Sequence, residues 1–143
     1  SVAQFAQFHP GGNLGKKLTL TAQNLADTNS KPSVRKDTKI KEVIIDISKN
    51  RLGATVIIDD NNMVLGIITD GDIRRMLEQH DNIQHLIAQD IYHTNPATIA
   101  PNALAIEALA IMEQKDISQL IVADNHQYIG MIHIHDLMKE GIL

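Results

Sequence analysis

The stretch ATVIIDDNNMVLGIITDGD, residues 54–72, decides the fold, because it contains two apolar runs separated by a polar turn. Runs rich in Val and Ile with such a turn between them are typical of a β-hairpin. The stretch ends on Thr69 and Asp72, and a carboxylate there can cap the first turn of a helix. We therefore predict strands over 54–59 and 63–69 and a helix that begins near Asp72.

The same pattern returns near the end of the chain in QLIVADNHQYIGMIHIHD, residues 119–136. Gly66 corresponds to Gly130 and Asp72 to Asp136, 64 residues further along in each case. A pattern that returns at a fixed distance indicates an internal repeat. We therefore predict a second hairpin and a second helix that begins near Asp136.

A helix is predicted before each hairpin, because apolar residues recur there three and four positions apart. These residues are Ile40, Val43, Ile44 and Ile47 in the first copy and Leu104, Ala108, Ile111 and Met112 in the second. A further helix with the same spacing is predicted to lead into the second copy. Its apolar residues are Ile83, Leu86, Ile87 and Ile91.

These elements predict an α/β fold, in the mixed α+β sense, built from two β-α-β-β-α units. One such unit of about 60 residues buries little apolar surface alone, so we expect the two units to pack sheet to sheet with pseudo-twofold symmetry. The expected organisation is a joint over residues 1–20, a first repeat over 21–81 and a second over 82–143. Because the chain begins at Ser1 without a methionine, we expect it to be a fragment of a longer protein.

Composition excludes several functional classes. The 143 residues carry a net charge of −4, the opposite of the basic surface that binds nucleic acid. Aromatic residues make up 3% with no Trp, which is too few for a platform that stacks bases. The chain has no Cys, which excludes disulfides and favours a cytoplasmic location. Its apolar runs are far too short for a membrane span.

The ends of the two hairpins, GIITDGD (66–72) and GMIHIHD (130–136), carry the chemistry. They resemble the signature of the CBS domain pair, in which Gly, apolar residues, Thr or Ser, two further residues and Asp lie in a strand–turn–helix. The first copy matches at Thr69 and Asp72, whereas the second has His133 where Thr or Ser is usual. The resemblance implies tandem CBS repeats with a nucleotide bound between them.

A carboxylate at a helix start can accept both hydrogen bonds of a ribose diol, and helix N–H groups can meet a phosphate. The resemblance implies the ribose role for Asp72 and Asp136 and the phosphate role for Thr69. The full set of candidate ligand-binding residues is Thr69, Asp72, His133 and Asp136, with Val34 and Ile99 as further candidates. The alternative is that both carboxylates only cap helices.

Other patterns indicate no further site. His133 and His135 share one face of a strand, but they lack further ligands nearby and are interpreted as a polar cleft lining, with half of a metal site as the alternative. The stretch DDNNMV, residues 59–64, lacks an oxygen ligand and the glycine of a calcium loop and is interpreted as a hairpin turn. Arg74 and Arg75 are assigned to a solvated helix face, with phosphate contact as the alternative.

The stretch FHPGGNLGKKL, residues 8–18, is rich in glycine but is no phosphate loop, because Pro10 and Lys17 stand where a Walker motif needs Gly and Ser or Thr. Combined with the CBS motifs and the closing HIHDLMKEGIL, it resembles bacterial arabinose 5-phosphate isomerases. In that family a His-Pro-Gly-Gly segment joins a sugar isomerase (SIS) domain to a CBS pair. The resemblance implies that His9 serves the isomerase as an acid or base; packing at a helix end is the alternative.

The leading hypothesis is a regulatory CBS pair of an arabinose 5-phosphate isomerase, whose aldose product feeds synthesis of the lipopolysaccharide sugar Kdo. The resemblance implies no required cofactor, an effector that is AMP, ATP or CMP-Kdo, a homodimer formed through the pair, and the SIS domain as partner. This chain alone is not expected to isomerise sugars or to bind nucleic acid or membranes. The alternatives are an empty pair that only dimerises, and a CBS module that serves an unrelated protein.

Overall fold

The structure is a computed structural model that describes residue 15 and residues 18–143. The α-helices within residues 20–143 are α1 (Ala22–Ala26), α2 (Ile40–Asn50), α3 (Asp70–Gln79), α4 (Ala105–Lys115) and α5 (Ile134–Lys139). The strands are β1 (Ser33–Val34), β2 (Ala54–Ile58), β3 (Val64–Thr69), β4 (His93–Thr94), β5 (Thr98–Ile99), β6 (Gln119–Asp124) and β7 (Gln127–His133). A short 3₁₀ helix covers Ala88–Asp90.

The β2–β3 hairpin forms where the sequence predicts it. The two strands pair antiparallel, with Thr55 opposite Ile68. Asp59 closes the turn, because its Oδ1 accepts hydrogen bonds from the backbone N–H groups of Asn61 at 2.8 Å and Met63 at 3.0 Å. The stretch that resembled a calcium loop is therefore a hairpin turn whose first carboxylate binds the backbone.

The predicted helices before each hairpin are confirmed as α2 and α4. In α2, Ile40, Val43 and Ile47 are buried, which is the periodicity that the sequence indicated. The helix ends at Arg51, where φ is 60° and the backbone N–H donates to the carbonyl of Ile47. α4 ends in the same left-handed conformation at Asp116, where φ is 53°, so the two copies share this helix end.

The prediction of a helix that leads into the second copy is wrong, because residues 83–91 contain turns and the 3₁₀ helix instead. The backbone here bonds to the loop before α2. The carbonyl of Leu86 accepts from the N–H of Ile40 at 3.1 Å, and the N–H of Ala88 donates to the carbonyl of Thr38 at 2.8 Å. An α-helix would use these groups internally. Leu86 still packs in the core, with Ile83 and Ile91 against it, so the spacing indicated burial of these three correctly but helix formation wrongly.

The chain divides into two compact units that do not follow its order. Among the described residues, unit 1 consists of those up to Ser30 together with Thr98–Asp124 and Ile129–Leu143, and unit 2 consists of Lys31–Ala97 and Asn125–Tyr128. Thus α1, at the start of the first predicted repeat, belongs to the unit of β5 and β6. In the same way β4, near the start of the second predicted repeat, belongs to the unit of β2 and β3. The boundaries at 20/21 and 81/82 stay predictions about the repeat in the sequence.

Unit 2 contains a four-stranded sheet in the order β1-β2-β3-β4. β1 is parallel to β2, and β4 is antiparallel to β3. The buried side chains of α2, α3 and the sheet form one hydrophobic cluster with two residues of the segment before β4. Its members are Ile40, Val43, Ile47, Ile57, Ile68, Met76, Leu86 and Ala88.

Unit 1 contains a three-stranded sheet in the order β5-β6-β7, with β5 parallel to β6. Its large buried residues come from α1, α4, the sheet and α5, and they include Leu25, Met112, Leu120, Ile121, Ile132 and Leu137. Each unit therefore combines a sheet with helices, and the predicted α/β class with tandem repeats is confirmed.

Candidate functional site

Thr69 and Asp72 form a capping box at the N-terminus of α3. The hydroxyl of Thr69 accepts from the backbone N–H of Asp72 at 3.3 Å, and the backbone N–H of Thr69 donates to Oδ2 of Asp72 at 2.9 Å. The Thr69 hydroxyl also donates to the same Oδ2 at 3.1 Å. Asp72 is only 5% exposed, so the motif that the sequence identified is built into the fold as a helix cap.

Two basic side chains occupy the other oxygen of this carboxylate. Nη2 of Arg75 lies 2.6 Å and Nε2 of His93 lies 2.5 Å from Oδ1 of Asp72. Burial raises the pKa of Asp72, but the hydrogen bonds from Thr69, Arg75 and His93 outweigh it and leave this pKa below its ordinary value. Asp72 is therefore ionised at neutral pH. We call Asp72, Arg75 and His93 together the clamp.

The clamp lines a small open cleft of unit 2. The cleft has a volume of 190 Å³, and His80 and Asp90 also line it. Both acidic and basic groups therefore face the same space.

Gly66 brings β4 close enough to place His93 in the clamp. It pairs with Thr94 across the β3–β4 ladder. A Cβ atom at Gly66 would overlap the ring of Tyr92 and the carbonyl oxygen of His93. Because glycine has no Cβ, the β4 backbone can lie directly against β3. The glycine of the motif therefore has a packing role that is tied to the site.

The corresponding box in unit 1 caps α5. The backbone N–H of His133 donates to Oδ2 of Asp136 at 2.7 Å. The side-chain amide of Asn29 donates to the same Oδ2 at 2.8 Å and to the carbonyl of Met131 at 3.0 Å. Asp136 is 7% exposed. This carboxylate is therefore also a cap, but an amide stands where the clamp of unit 2 has an imidazole.

His133 takes the capping position that Thr69 has in unit 2. Its Nδ1 accepts a hydrogen bond from the backbone N–H of His135 at 3.0 Å. Burial lowers the pKa of His133 and the neighbouring His135 lowers it further, while Asp136 acts in the opposite direction; the net pKa lies below the ordinary value. The protonated ring that a phosphate would require is therefore disfavoured.

Thr69 and Asp72 bond to each other in unit 2, and His133 and Asp136 bond to each other in unit 1. Val34 lies half-buried on β1 in unit 2, where it pairs with Ile57. Ile99 lies buried on β5 in unit 1, where it pairs with Val122. His9, the predicted catalytic residue of the parent, lies outside the described residues.

Sequence reasoning missed three partners of the carboxylates. Arg75 was assigned to a solvated face, yet it contacts Asp72. His93 and Asn29 were not identified, although they stand 64 residues apart, the same shift that relates Asp72 to Asp136. If the alignment of the two copies had been extended upstream of the first strand of each copy, Asn29 and His93 would have stood at matched positions.

Neither a metal cluster nor a membrane span is found in the described part of the chain. The rings of His133 and His135 lie 4.4 Å apart. No group of three or more His, Cys, Asp or Glu among the described residues is arranged to hold a metal ion. No described helix has the length and apolar character that a membrane crossing needs.

We expect Asp72→Asn to remove part of the acid sensitivity of the fold. The pKa of Asp72 in the folded chain lies below the ordinary value of 3.8. The carboxylate therefore stabilises the folded state above that ordinary value, and this stabilisation is lost as pH falls through the folded pKa. Urea unfolding measured between about pH 2 and pH 6 should show a shallower loss of stability in the variant. The exposed Asp81→Asn serves as control, and equal slopes for Asp72→Asn and the wild type would contradict this assignment.

The family model described as "CBS domain" matches residues 25–79 and 88–142. The chain is 36% identical over 140 residues to arabinose 5-phosphate isomerase KdsD of Escherichia coli. This match covers 97% of the chain and 43% of that relative. The chain therefore spans less than half the length of the curated relative that it matches.

Solved structures support the same fold. A CBS-domain containing protein from Agrobacterium tumefaciens has a TM-score of 0.74 at 23% identity, covering 85% of this chain and 93% of that one. A CBS domain protein from Pyrobaculum aerophilum, complexed with AMP, has a TM-score of 0.73 at 24% identity, covering 82% of this chain and 90% of that one. At these identities the likeness supports the fold alone.

Proposed function

Because the chain belongs to the CBS domain family, we propose that it is the regulatory CBS pair of an arabinose 5-phosphate isomerase and binds a nucleotide or nucleotide sugar. One observation carries the effector part: each unit holds a buried carboxylate at the start of a helix, at the position where the family motif has its Asp. An ionised carboxylate there can accept hydrogen bonds from a ribose diol. The adjoining helix N-terminus favours a negatively charged group.

The isomerase part of the proposal rests on the relative that the chain resembles over 97% of its length. In this proposal the chain regulates an SIS domain that converts ribulose 5-phosphate to arabinose 5-phosphate, and the product enters Kdo synthesis. His9 contributes an acid or base to the isomerase active site. The chain dimerises through the pair, works in the cytoplasm and has no isomerase activity without the SIS domain.

The proposed effector is an adenine nucleotide or CMP-Kdo. The Pyrobaculum aerophilum neighbour complexed with AMP supports the first choice. CMP-Kdo is the second choice, because it also contains a ribose and a phosphate. It lies downstream of the isomerase product, so its binding would give feedback regulation. Both ligands offer a diol to a carboxylate and a phosphate to a helix start, so one site chemistry serves either.

A thermal-shift panel of AMP, ATP, CMP and CMP-Kdo tests the effector part. A ligand present at about 100 times its dissociation constant should stabilise the chain by about 2.7 kcal/mol. Asp81→Asn, changed at an exposed position outside the boxes, should give the same shift as the wild type. If none of the four compounds raises the melting temperature, the chain is not the effector-binding module that we propose.

A second candidate function is a pair that binds no effector and only dimerises. The observation that favours it is the complete use of the Asp72 carboxylate as a cap and clamp partner. This alternative predicts a dimer in analytical ultracentrifugation that the four compounds leave unchanged. In the parent enzyme, it also predicts that Asp72→Ala leaves the isomerase rate unchanged and that nucleotides do not alter the rate of the wild type.

A further inference from the structure

The two capping carboxylates differ in how many of their hydrogen-bonding positions are already used. An ionised carboxylate has about four acceptor positions, two on each oxygen. On Asp72 all of them are taken, by the backbone and hydroxyl of Thr69 on Oδ2 and by Arg75 and His93 on Oδ1. A ribose diol that donates two hydrogen bonds finds no position left there.

Asp136 has its Oδ1 available. Both protein donors, His133 and Asn29, bond to Oδ2. Within the described residues, no hydrogen bond to Oδ1 is present. In the described part of the chain, the fully buried side-chain atoms without a partner are Oδ2 of Asp46 and Oγ1 of Thr55. Oδ1 of Asp136 has no partner there and is not one of them, so it is not fully buried. A donor of a ligand can therefore bond to this oxygen without displacing a protein hydrogen bond.

Separating Arg75 and His93 from Asp72 costs less free energy than breaking a fully buried ion pair would. The side chains of Arg75 and His93 are 54% and 61% exposed, whereas that of Asp72 is 3% exposed. Both basic groups can return to water, where their desolvation cost vanishes. A ligand must still displace both groups from Oδ1 before it can bond to Asp72, whereas it displaces no protein group from Oδ1 of Asp136.

We infer that the two carboxylate sites are unequal: a ribose-containing ligand binds Asp136, while the clamp of Arg75 and His93 keeps Asp72 closed to it. This inference rests on the proposed function and specifies which unit carries the open site. The residues that decide it stand at matched positions in the repeat. Asn29 corresponds to His93 and Lys139 to Arg75, each pair 64 residues apart.

The matched positions supply a decisive variant. The double change His93→Asn and Arg75→Lys gives Asp72 the residues that Asp136 has at these two matched positions, while Thr69 stays in place. Calorimetric titration with AMP and with CMP then counts sites in four chains: wild type, Asp136→Asn, Asp72→Asn and the double variant. Far-UV circular dichroism checks that each chain folds.

The inference predicts one site in the wild type. Asp136→Asn should weaken binding by about tenfold or more, because a charge-assisted hydrogen bond is lost, whereas Asp72→Asn should change it less than about twofold. The double variant should gain a second site. That gain tests the clamp even if Asp136→Asn does not fold.

Two equal sites in the wild type, or loss of binding in Asp72→Asn but not in Asp136→Asn, would overturn the inference and leave the proposed function standing. A double variant that still has one site would do the same. Absence of binding by all folded chains would overturn the inference, and if ATP and CMP-Kdo also gave no thermal shift, the proposed function would fall with it.

Discussion

Gly66→Ala is expected to lower the free energy of unfolding by about 3 kcal/mol, at the upper end of the cost of overpacking. The new Cβ would overlap the ring of Tyr92 and the backbone carbonyl of His93. The ring can rotate, but the carbonyl belongs to the β3–β4 ladder, where Gly66 pairs with Thr94. Relief therefore requires β4 to move away from β3. Differential scanning calorimetry should show a melting temperature lower by roughly 6–12 °C.

Gly130→Ala is the matched control, since Gly130 has the same place in the second copy of the motif. Among the described residues, a Cβ there would meet the side chain of Ala26, at 3.0 Å, and no backbone atom. A shift of a few tenths of an ångström relieves this contact, so we expect a loss of about 1 kcal/mol or less. Equal losses for the two variants would contradict the claim that Gly66 is required by the close approach of β4.

Ile68→Ala is expected to lower the free energy of unfolding by about 3–4 kcal/mol, because it leaves a cavity in a packed core. Ile68 is 0% exposed and belongs to the hydrophobic cluster of unit 2. It lies on β3 opposite Thr55, which is also fully buried. Because Thr55 is also buried, it does not open the space to water. Urea unfolding at neutral pH measures the loss directly.

Ile45→Ala removes the same atoms from an exposed position and serves as the control. Ile45 lies on α2 and is 55% exposed. Alanine also has the higher helix propensity, so the change should stay within about 0.5 kcal/mol. If Ile45→Ala proved as destabilising as Ile68→Ala, the core of unit 2 would not lie where the structure places it.

Local patterns in the sequence were sufficient to predict the hairpins and the helices before them. Val and Ile runs on either side of DDNN predict β2 and β3 because each strand and its turn lie within about 20 residues. The spacing of Ile40, Val43 and Ile47 predicts α2 for the same reason. The capping box at Thr69 and Asp72 is also local, since its partners are three residues apart.

Contacts between distant segments were beyond the sequence patterns. His93 reaches Asp72 over 21 residues through a strand of only two residues, which leaves no alternation to detect. Asn29 reaches Asp136 over 107 residues. The helix predicted over 83–91 was wrong for the same physical reason. Backbone hydrogen bonds to the segment before α2 override the helical spacing of its apolar residues.

The most direct test of the central claim is a nuclear magnetic resonance titration of the isotope-labelled chain with AMP and with CMP. The backbone N–H groups of His133 and Thr69 donate to the carboxylates of Asp136 and Asp72, so their signals report a ligand that reaches either one. We predict a saturable shift of the His133 signal while the Thr69 signal stays in place. Signals of both residues that remain unchanged at saturating concentrations of both nucleotides would contradict the claim that these capping carboxylates bind the ribose of a nucleotide.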